Sequence, residues 1–246
     1  MTTKNATGLL SRPSEGSDRR VPLADRLHIL AFGAIGWPWL LKSLSGGRKK
    51  DKRRLLHRLG LPADALPNLG SWKADTVLLH RIVDTIEQLR PAAVVELGAG
   101  ASTLVTAKAL AQNGGGRLIS FDQHADFVDA TRAWLAEHDL AADMHAADLV
   151  SAPKGWPGLW YDVHHLPERI DLLIIDGPPW TVHPYVRGAA ESLFDRIPVG
   201  GTVLLDDAAR PGERVVARRW RKAWPEFAFE LDGRGTKGTL VGVRIS

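Results

Sequence analysis

The chain has 246 residues, of which 44% are hydrophobic and 24% charged, a composition typical of globular domains. It contains no cysteine, which excludes disulfides, thiolate metal sites and thiol nucleophiles. Residues 1–60 hold 13 Lys or Arg against 4 Asp or Glu, a net of +9, and the remaining residues hold 19 against 24, a net of −5. The mildly acidic remainder argues against a nucleic-acid groove there, so we expect no nucleic-acid partner.

The N-terminal segment combines polar, apolar and basic stretches. Residues 1–20 are polar and are expected to be disordered. The apolar run 27–41 is shorter than the roughly 20 residues that span a bilayer, and the basic run 48–54 follows it. Such a pair is typical of an anchor on anionic lipid, but a helix packed on the next domain, followed by a solvated basic linker, explains it equally well. We therefore expect a cytoplasmic protein and leave open peripheral membrane contact at the inner face through residues 27–54.

A buried strand and a glycine turn follow. The run Ala92 to Leu97 is short and apolar, like a central parallel strand. Gly98 and Gly100 allow a tight turn with room for a ligand, and Ser102 can cap the helix that comes next. The sequence therefore predicts a ligand pocket at the end of this strand, with free helix N–H groups facing it.

The residues around this turn favour a cationic ligand over a dinucleotide. The dinucleotide fingerprint needs a third glycine, and Thr103 occupies that position. Glu96 directly precedes the turn and suits a positive charge. A second strand, Arg117 to Asp122, ends in an acid 26 residues after Glu96. Asp122 can accept both hydroxyls of a ribose, although turn or cap roles are common for Asp. A third strand is predicted over 143–148.

Three further carboxylates follow two more predicted strands. Asp176 ends the run from residue 171, and Asp206 and Asp207 end the run from residue 201. A crossover helix over 185–196 would make these strands parallel, so the acids would converge at one sheet edge. Clustered carboxylates repel one another unless a cation lies among them, and oxygen ligands suit Mg²⁺. The alternative is that these acids only cap turns.

A histidine lies close to this predicted edge. His183 follows the Gly-Pro-Pro turn and titrates near neutral pH, so it is a candidate general base. A structural hydrogen bond is its alternative role.

The C-terminal part predicts a hairpin of strands Phe227–Leu231 and Thr239–Ile245. Together with Glu-Leu-Gly-Ala-Gly (96–100), Ile-Asp-Gly-Pro-Pro (175–179) and Leu-Leu-Asp-Asp-Ala (204–208), it resembles class I S-adenosylmethionine-dependent methyltransferases. The closest resemblance is to a bacterial branch that is similar to metal-dependent small-molecule O-methyltransferases. It covers residues 68–246, which we expect to form the methyltransferase domain after an extension, 1–67.

The resemblance implies an α/β fold, a doubly wound, seven-stranded, mostly parallel sheet with an antiparallel C-terminal hairpin and a helical N-terminal extension. It also implies a lid over the donor at Asn68, Ser71 and Trp72, and roles for other residues. Those expected to bind S-adenosylmethionine are Glu96, Gly98, Gly100, Ser102, Asp122 and Asp148, the last through the adenine amino group. Those expected to act on the acceptor are Asp176, Asp207 and His183. The expected ligands of Mg²⁺ are Asp176, Asp206 and Asp207.

These features predict methyl transfer from S-adenosylmethionine to an oxygen of a small molecule or sugar, with or without help from a divalent metal. Two alternatives stay open. An aminopropyltransferase shares the fold and would use the acidic edge to bind a polyamine. A non-catalytic, membrane-tethered binding module would need a failed donor site. A homo-oligomer is also left open.

Overall fold

The computed structural model describes residues 23–71 and 73–246. The predicted disorder of residues 1–20 and the predicted lid residue Trp72 lie outside this range. The helices are α1 (Leu23–Ser43), α2 (Lys49–Arg58), α3 (Thr76–Leu89), α4 (Ala101–Gln112), α5 (Ala125–Ala136) and α6 (Pro211–Ala223). The strands are β1 (Ala93–Leu97), β2 (Arg117–Asp122), β3 (Asp143–Ala146), β4 (Leu149–Ser151), β5 (Leu159–Tyr161), β6 (Leu172–Ile175), β7 (Thr202–Leu205), β8 (Phe227–Asp232) and β9 (Thr239–Arg244).

Seven strands form one sheet in the order β3-β2-β1-β6-β7-β9-β8. The first five are parallel to one another, and β9 runs antiparallel to both β7 and β8. This confirms the predicted mostly parallel sheet with a C-terminal antiparallel hairpin. Parallel strands place their carboxyl ends along one edge, so the turns after β1, β2, β6 and β7 meet there.

Helical segments cover both faces of the sheet, which explains why its central strands are continuous runs of apolar residues. Along β6, Leu172 and Ile174 pack into a core with α2, α3, α4 and α5. Leu173 and Ile175 point the other way, into a second core with α6 and the segment 186–196. Alternate side chains of one strand thus serve two layers of helices, as in a doubly wound fold.

Two elements differ from the sequence prediction. The crossover between β6 and β7 is a run of 3₁₀ turns, Val186–Arg196, instead of a regular α-helix. Gly188 lies within it against the ring of Trp156, where an added Cβ would collide with the indole. In addition, β4 and β5 form a separate antiparallel pair, which places Tyr161 beside the main sheet.

The segment before the domain is helical. The predicted apolar run forms most of α1, with Pro38 inside the helix. In α2, Leu55 and Leu56 are buried, and with Leu59 they join the core beneath α3 and α4. Across the part of the chain that the structure describes, no helix is both long and apolar enough to cross a membrane.

Candidate active site

A cavity of about 950 Å³ opens at the carboxyl ends of β1, β2, β6 and β7. This volume lies at the upper end of the roughly 300–1,000 Å³ usual for small-molecule sites. One wall is the sheet edge, and the other consists of residues 66–71 with Lys73 and Ala74, which precede α3. The residues of the sheet side that line the cavity include Gly98, Gly100, Ser102, Asp122, Tyr161, Asp176 and Asp207.

The glycine turn after β1 has a backbone that only glycine adopts without strain. Gly98 has φ +96°, and a Cβ there would lie 2.7 Å from the amide nitrogen of Gly177. Gly100 has φ +149°, and the nearest atoms to a Cβ added there belong to the ring of Phe127. The first glycine thus lets two strand-end turns pack together. The second leaves open space on the cavity side.

Glu96 supports this turn through hydrogen bonds and does not line the cavity. Its Oε2 accepts hydrogen bonds of 2.6 Å from the hydroxyls of Thr103 and Ser120, and Thr103 Oγ1 accepts one of 2.8 Å from the amide of Gly100. Its Oε1 is buried without a hydrogen-bond partner among the described residues. Burial raises the pKa of this carboxyl to about 7. Glu96 thus supports the turn that forms the pocket from outside the cavity lining, and its direct contact with the donor stays a prediction.

The other predicted donor residues divide between the cavity and the surface. Asp122 lines the cavity, and its carboxylate accepts hydrogen bonds from the amides of Ala99 (3.2 Å) and His124 (3.0 Å). Burial raises its pKa. Ser102 also lines the cavity. Asp148 is exposed and lies outside the cavity, because β3 ends at Ala146 and Asp148 falls in the following turn.

The three predicted acceptor-side acids do converge. Oxygens of Asp176, Asp206 and Asp207 lie within 4.8 Å of one another. Asp176 and Asp207 line the cavity, and Asp206 lies behind them. Asp207 has φ +59°, a left-handed conformation that is uncommon outside glycine and costs on the order of 1–3 kcal/mol.

Three cations of the protein already neutralise these acids. Lys237 Nζ lies 3.0 Å from Asp206 Oδ2 and 3.3 Å from Asp207 Oδ1. Arg187 Nη1 and Arg210 Nη1 lie 3.0 and 2.8 Å from Asp207 Oδ2. We name this group of six residues the ion cluster: Asp176, Asp206, Asp207, Arg187, Arg210 and Lys237.

Within the ion cluster, pKa shifts follow from burial and charge. Burial would raise the pKa of Asp207, but Arg210, Lys237 and Arg187 outweigh it and lower that pKa to about 2. Burial would lower the pKa of Lys237, but Asp206 and Asp207 outweigh it and raise that pKa. For Asp176, burial and the negative charge of Asp206 raise the pKa well above its ordinary value. Asp176 thus has a greater affinity for a proton than an ordinary aspartate.

The residues present do not fit Mg²⁺ as they stand. Mg²⁺ requires oxygens at about 2.0–2.1 Å in octahedral geometry. The ammonium of Lys237 already lies between Asp206 and Asp207, and an ion there would also lie beside Arg187 and Arg210. A metal ion would have to displace that ammonium. The metal site stays a prediction from sequence, and we derive no step through a metal.

His183 lies away from the cavity, and its predicted role as general base does not agree with this position. Its side chain is 1% exposed under α1, where its Nε2 lies 3.9 Å from Asp25 and its ring contacts His28 and Tyr185. Nδ1 accepts a hydrogen bond from the amide of Tyr185. Burial lowers its pKa. The structure thus gives His183 its alternative role, a structural hydrogen bond.

Three cavity or cluster residues have no local motif in the sequence. Arg187 comes from the 3₁₀ crossover, and its guanidinium also donates to the main-chain carbonyls of Asp176 (2.5 Å), Pro178 (3.1 Å) and Asp206. Lys237 comes from the β8–β9 loop. Tyr161 comes from β5, with a buried hydroxyl that has no hydrogen-bond partner among the described residues. On the opposite wall, the predicted lid residues Asn68 and Ser71 do line the cavity.

Comparison with known proteins agrees with this architecture. A family model described as "Methyltransferase domain" matches residues 95–208, and no curated protein sequence matches the chain. An O-methyltransferase from Bacillus cereus in complex with SAH is similar in structure, with a TM-score of 0.53 at 14% identity over 88% of this chain and 99% of that chain. An SAH-bound methyltransferase from Podospora anserina has a TM-score of 0.51 at 12% identity over 94% and 100%. A methyltransferase from Geobacter sulfurreducens has a TM-score of 0.51 at 16% identity over 79% and 86%.

At these identities the structural likeness shows a shared fold. The family match adds the chemistry, and it spans the chain from β1 through the ion-cluster acids after β7. The glycine turn, the acid after β2 and the antiparallel C-terminal hairpin are the features that carry the resemblance stated from sequence. Residues 95–208 are therefore a methyltransferase domain, and this domain has the fold of S-adenosylmethionine-dependent methyltransferases.

Proposed function

We propose that the protein methylates a hydroxyl oxygen of a small-molecule or sugar acceptor. The observation that carries this proposal is that one cavity has two chemically different ends. The glycine turn and Asp122 form one end, and Asp176 with its neighbouring cations forms the other. Donor and acceptor can therefore bind side by side, which supplies much of the rate of a displacement between two bound molecules.

The donor half consists of the glycine turn, Ser102 and Asp122. Both oxygens of Asp122 are fixed by backbone amides, which orients the carboxylate toward the cavity for the ribose hydroxyls. When ionised, the carboxylate of Asp122 gives this region a negative potential suited to a sulfonium. When bound, S-adenosylmethionine supplies an activated methyl group.

The acceptor half depends on Asp176. Its carboxylate is partly exposed to the cavity, and Arg187 fixes its main chain at 2.5 Å and approaches its Oδ1 at 3.5 Å. A carboxylate in this position can accept the proton of an acceptor hydroxyl while that oxygen attacks the methyl carbon. Asp206 and Lys237 lie behind Asp176, and their opposite charges balance each other.

The side-chain cations favour methyl transfer over the aminopropyltransferase alternative. A polyamine acceptor would need uncompensated negative charge at the cavity wall. Here Asp207 is paired with both Arg187 and Arg210, and these two arginines line the cavity themselves. The intact glycine turn and the open cavity likewise argue against a non-catalytic module.

Calorimetric titration of S-adenosylmethionine into the full chain tests the donor site. We expect a micromolar Kd, which corresponds to about −8 kcal/mol. The Asp122→Ala variant should weaken binding at least tenfold, and Asp148→Ala, which removes an exposed acid outside the cavity, should bind like the wild type. Absence of binding to the wild type would overturn the proposal.

A second experiment tests the acceptor side and the metal together. With bound donor established, formation of S-adenosylhomocysteine is measured against phenols, catechols and sugars, in Mg²⁺ and in chelator. We expect equal rates in both conditions, a large loss in Asp176→Asn with unchanged donor affinity, and a loss in Lys237→Met but not in the exposed Lys222→Met. Loss of activity in chelator with recovery in Mg²⁺ would instead support the predicted metal site.

A further inference from the structure

Helix α1 presents an apolar face that nothing in residues 23–71 and 73–246 covers. Leu27, Leu30, Trp37 and Leu41 are each more than half exposed, and they are spaced three, seven and four residues apart. At 3.6 residues per turn this spacing places them on one stripe. Leu44, which follows the helix, continues the stripe and is equally exposed.

The opposite face of α1 is packed on the domain. Phe32 contacts the ring of Tyr185 at a centroid distance of 5.0 Å, and Gly33 lies against Trp180. Gly36 and Ser43, also on this side, are buried. The helix is therefore held in place by one side while a row of large apolar side chains points outward. Exposed apolar patches of this kind mark interaction sites.

Positive charge adjoins the apolar stripe. The exposed cations at the start of α2 and just before it are Arg48, Lys49, Lys50, Arg53 and Arg54. Asp51 is the single acid among them, and the first 60 residues carry a net charge of +9. Each such Lys or Arg near an anionic membrane surface contributes about 1 kcal/mol of attraction.

We propose that α1 and the start of α2 bind the surface of a membrane that contains anionic lipid. The apolar stripe would enter the interface, and the basic residues would contact lipid head groups. If a second copy of the chain covered this surface, the two sets of basic residues would repel each other, whereas an anionic membrane surface would attract them. The helix would lie in the plane of the membrane, in agreement with its inability to cross one.

This surface also adjoins the cavity. Leu44 at the end of the stripe and Lys52 in α2 both line the cavity, and Lys52 Nζ donates to the carbonyls of Leu66 (2.6 Å) and Pro67 (2.8 Å) in the cavity wall. Membrane contact would therefore bring the cavity close to the lipid interface. If the proposed function holds, on which this step rests, the acceptor is an amphiphilic molecule that arrives from that interface.

Vesicle co-sedimentation of the full chain tests the surface without any donor or acceptor. We expect binding to vesicles of equal parts phosphatidylglycerol and phosphatidylcholine to be at least tenfold tighter than to phosphatidylcholine alone, and to weaken with salt. Leu30→Glu with Leu41→Glu should reduce binding at least tenfold. Lys49→Glu with Arg53→Glu should remove the preference for anionic lipid. Val199→Glu, which changes an exposed apolar residue in the turn before β7, should bind like the wild type.

Equal binding to both vesicles, or unchanged binding by the Leu30/Leu41 variant, would overturn the proposal. A wild-type dimer in sedimentation that becomes a monomer in that variant would also overturn it, because a second copy would then cover the stripe. Calorimetric binding of S-adenosylmethionine by each variant shows that it is folded. Because vesicle binding needs no donor, failure of the membrane proposal and failure of the methyltransferase proposal give different results.

Discussion

Glu96 connects the chemistry of a single carboxyl to the shape of the donor turn. The hydroxyls of Thr103 and Ser120 donate to one oxygen of Glu96, and the hydroxyl of Thr103 also accepts a hydrogen bond from the amide of Gly100 in the turn. Burial of the group favours its protonated form. A buried acid next to a backbone turn can be located from sequence, but its hydrogen bonds with Thr103 and Ser120 cannot, because Ser120 comes from a different strand.

The raised pKa of Glu96 makes stability depend on pH. From about 4.5 to about 7, folded Glu96 keeps a proton that the unfolded chain has lost, so stability falls as pH rises through this interval and levels off above it. The total is up to roughly 3 kcal/mol at 1.36 kcal/mol per pKa unit. Glu96→Gln should reduce this slope, measured as the urea free energy of unfolding against pH. Glu213, whose pKa burial also raises to about 7, leaves a residual slope. An unchanged slope in the variant would show that Glu96 is ionised when folded.

The residues of the site were predictable to the extent that they sit at strand ends. Gly98, Gly100, Asp122 and the three acids follow apolar runs, and the parallel sheet brings such positions to one edge. Arg187 and Lys237 could not be placed in this way, because each comes from a connection whose path depends on tertiary packing. The position of His183 could not be predicted either, because it lies under α1 and nothing in the local sequence indicates that α1 packs there.

At the scale of elements, Asp75 joins the beginning of α3 to the β8–β9 loop. One of its oxygens caps α3 by accepting from the amides of Val77 (2.9 Å) and Leu78 (3.0 Å). The other accepts from the amide (2.7 Å) and hydroxyl (3.0 Å) of Thr236. The loop carrying Lys237 is thus fixed to a helix some 160 residues earlier in the chain.

Removal of this link should destabilise two elements together. Asp75→Ala loses a helix cap, about 0.5–2 kcal/mol, and leaves the half-buried amide of Thr236 without this partner, up to about 1 kcal/mol more. Asp126→Ala, an exposed acid in the first turn of α5, is the matched control and should cost less than about 1 kcal/mol. Urea unfolding measures both. We also expect slower methyl transfer in Asp75→Ala only, and a normal rate in that variant would show that the loop holds its position without Asp75.

The mostly parallel sheet and the hairpin were predictable from the apolar runs, turn residues and strand-end acids along the chain. The 3₁₀ crossover was not, because residues 186–196 have ordinary helical composition and the departure comes from Trp156 packed against Gly188. The β4–β5 pair was also missed, since strands of three residues have too few positions to show alternation.

At the scale of the whole molecule, the cavity lies between two parts of the chain that are distant in sequence. Residues 66–71 with Lys73 and Ala74 form one wall, and the turns after β1, β2, β6 and β7 form the other. A ligand in the cavity therefore contacts both parts and stabilises their association. This arrangement makes the stability of the complete fold sensitive to the donor.

We expect S-adenosylmethionine at 100 times its Kd to add about 2.7 kcal/mol of stability, which raises Tm by roughly 5–10 °C for a chain of this size. Differential scanning calorimetry measures the shift. Amide exchange should slow in residues 66–74 as well as in residues 98–102, while β8 at the far edge of the sheet should show no local effect. Protection confined to residues 98–102 would show that the opposite wall does not contact the donor.

The ammonium of Lys237 has a consequence for how the enzyme depends on its surroundings. A divalent ion is held by a binding equilibrium, so an enzyme that uses one responds to ion supply and to competing chelators. Lys237 is covalently part of the chain and lies 3.0 Å from Asp206. If the proposed function holds, positive charge beside the acceptor is set by folding, and we expect a rate that does not depend on the supply of magnesium.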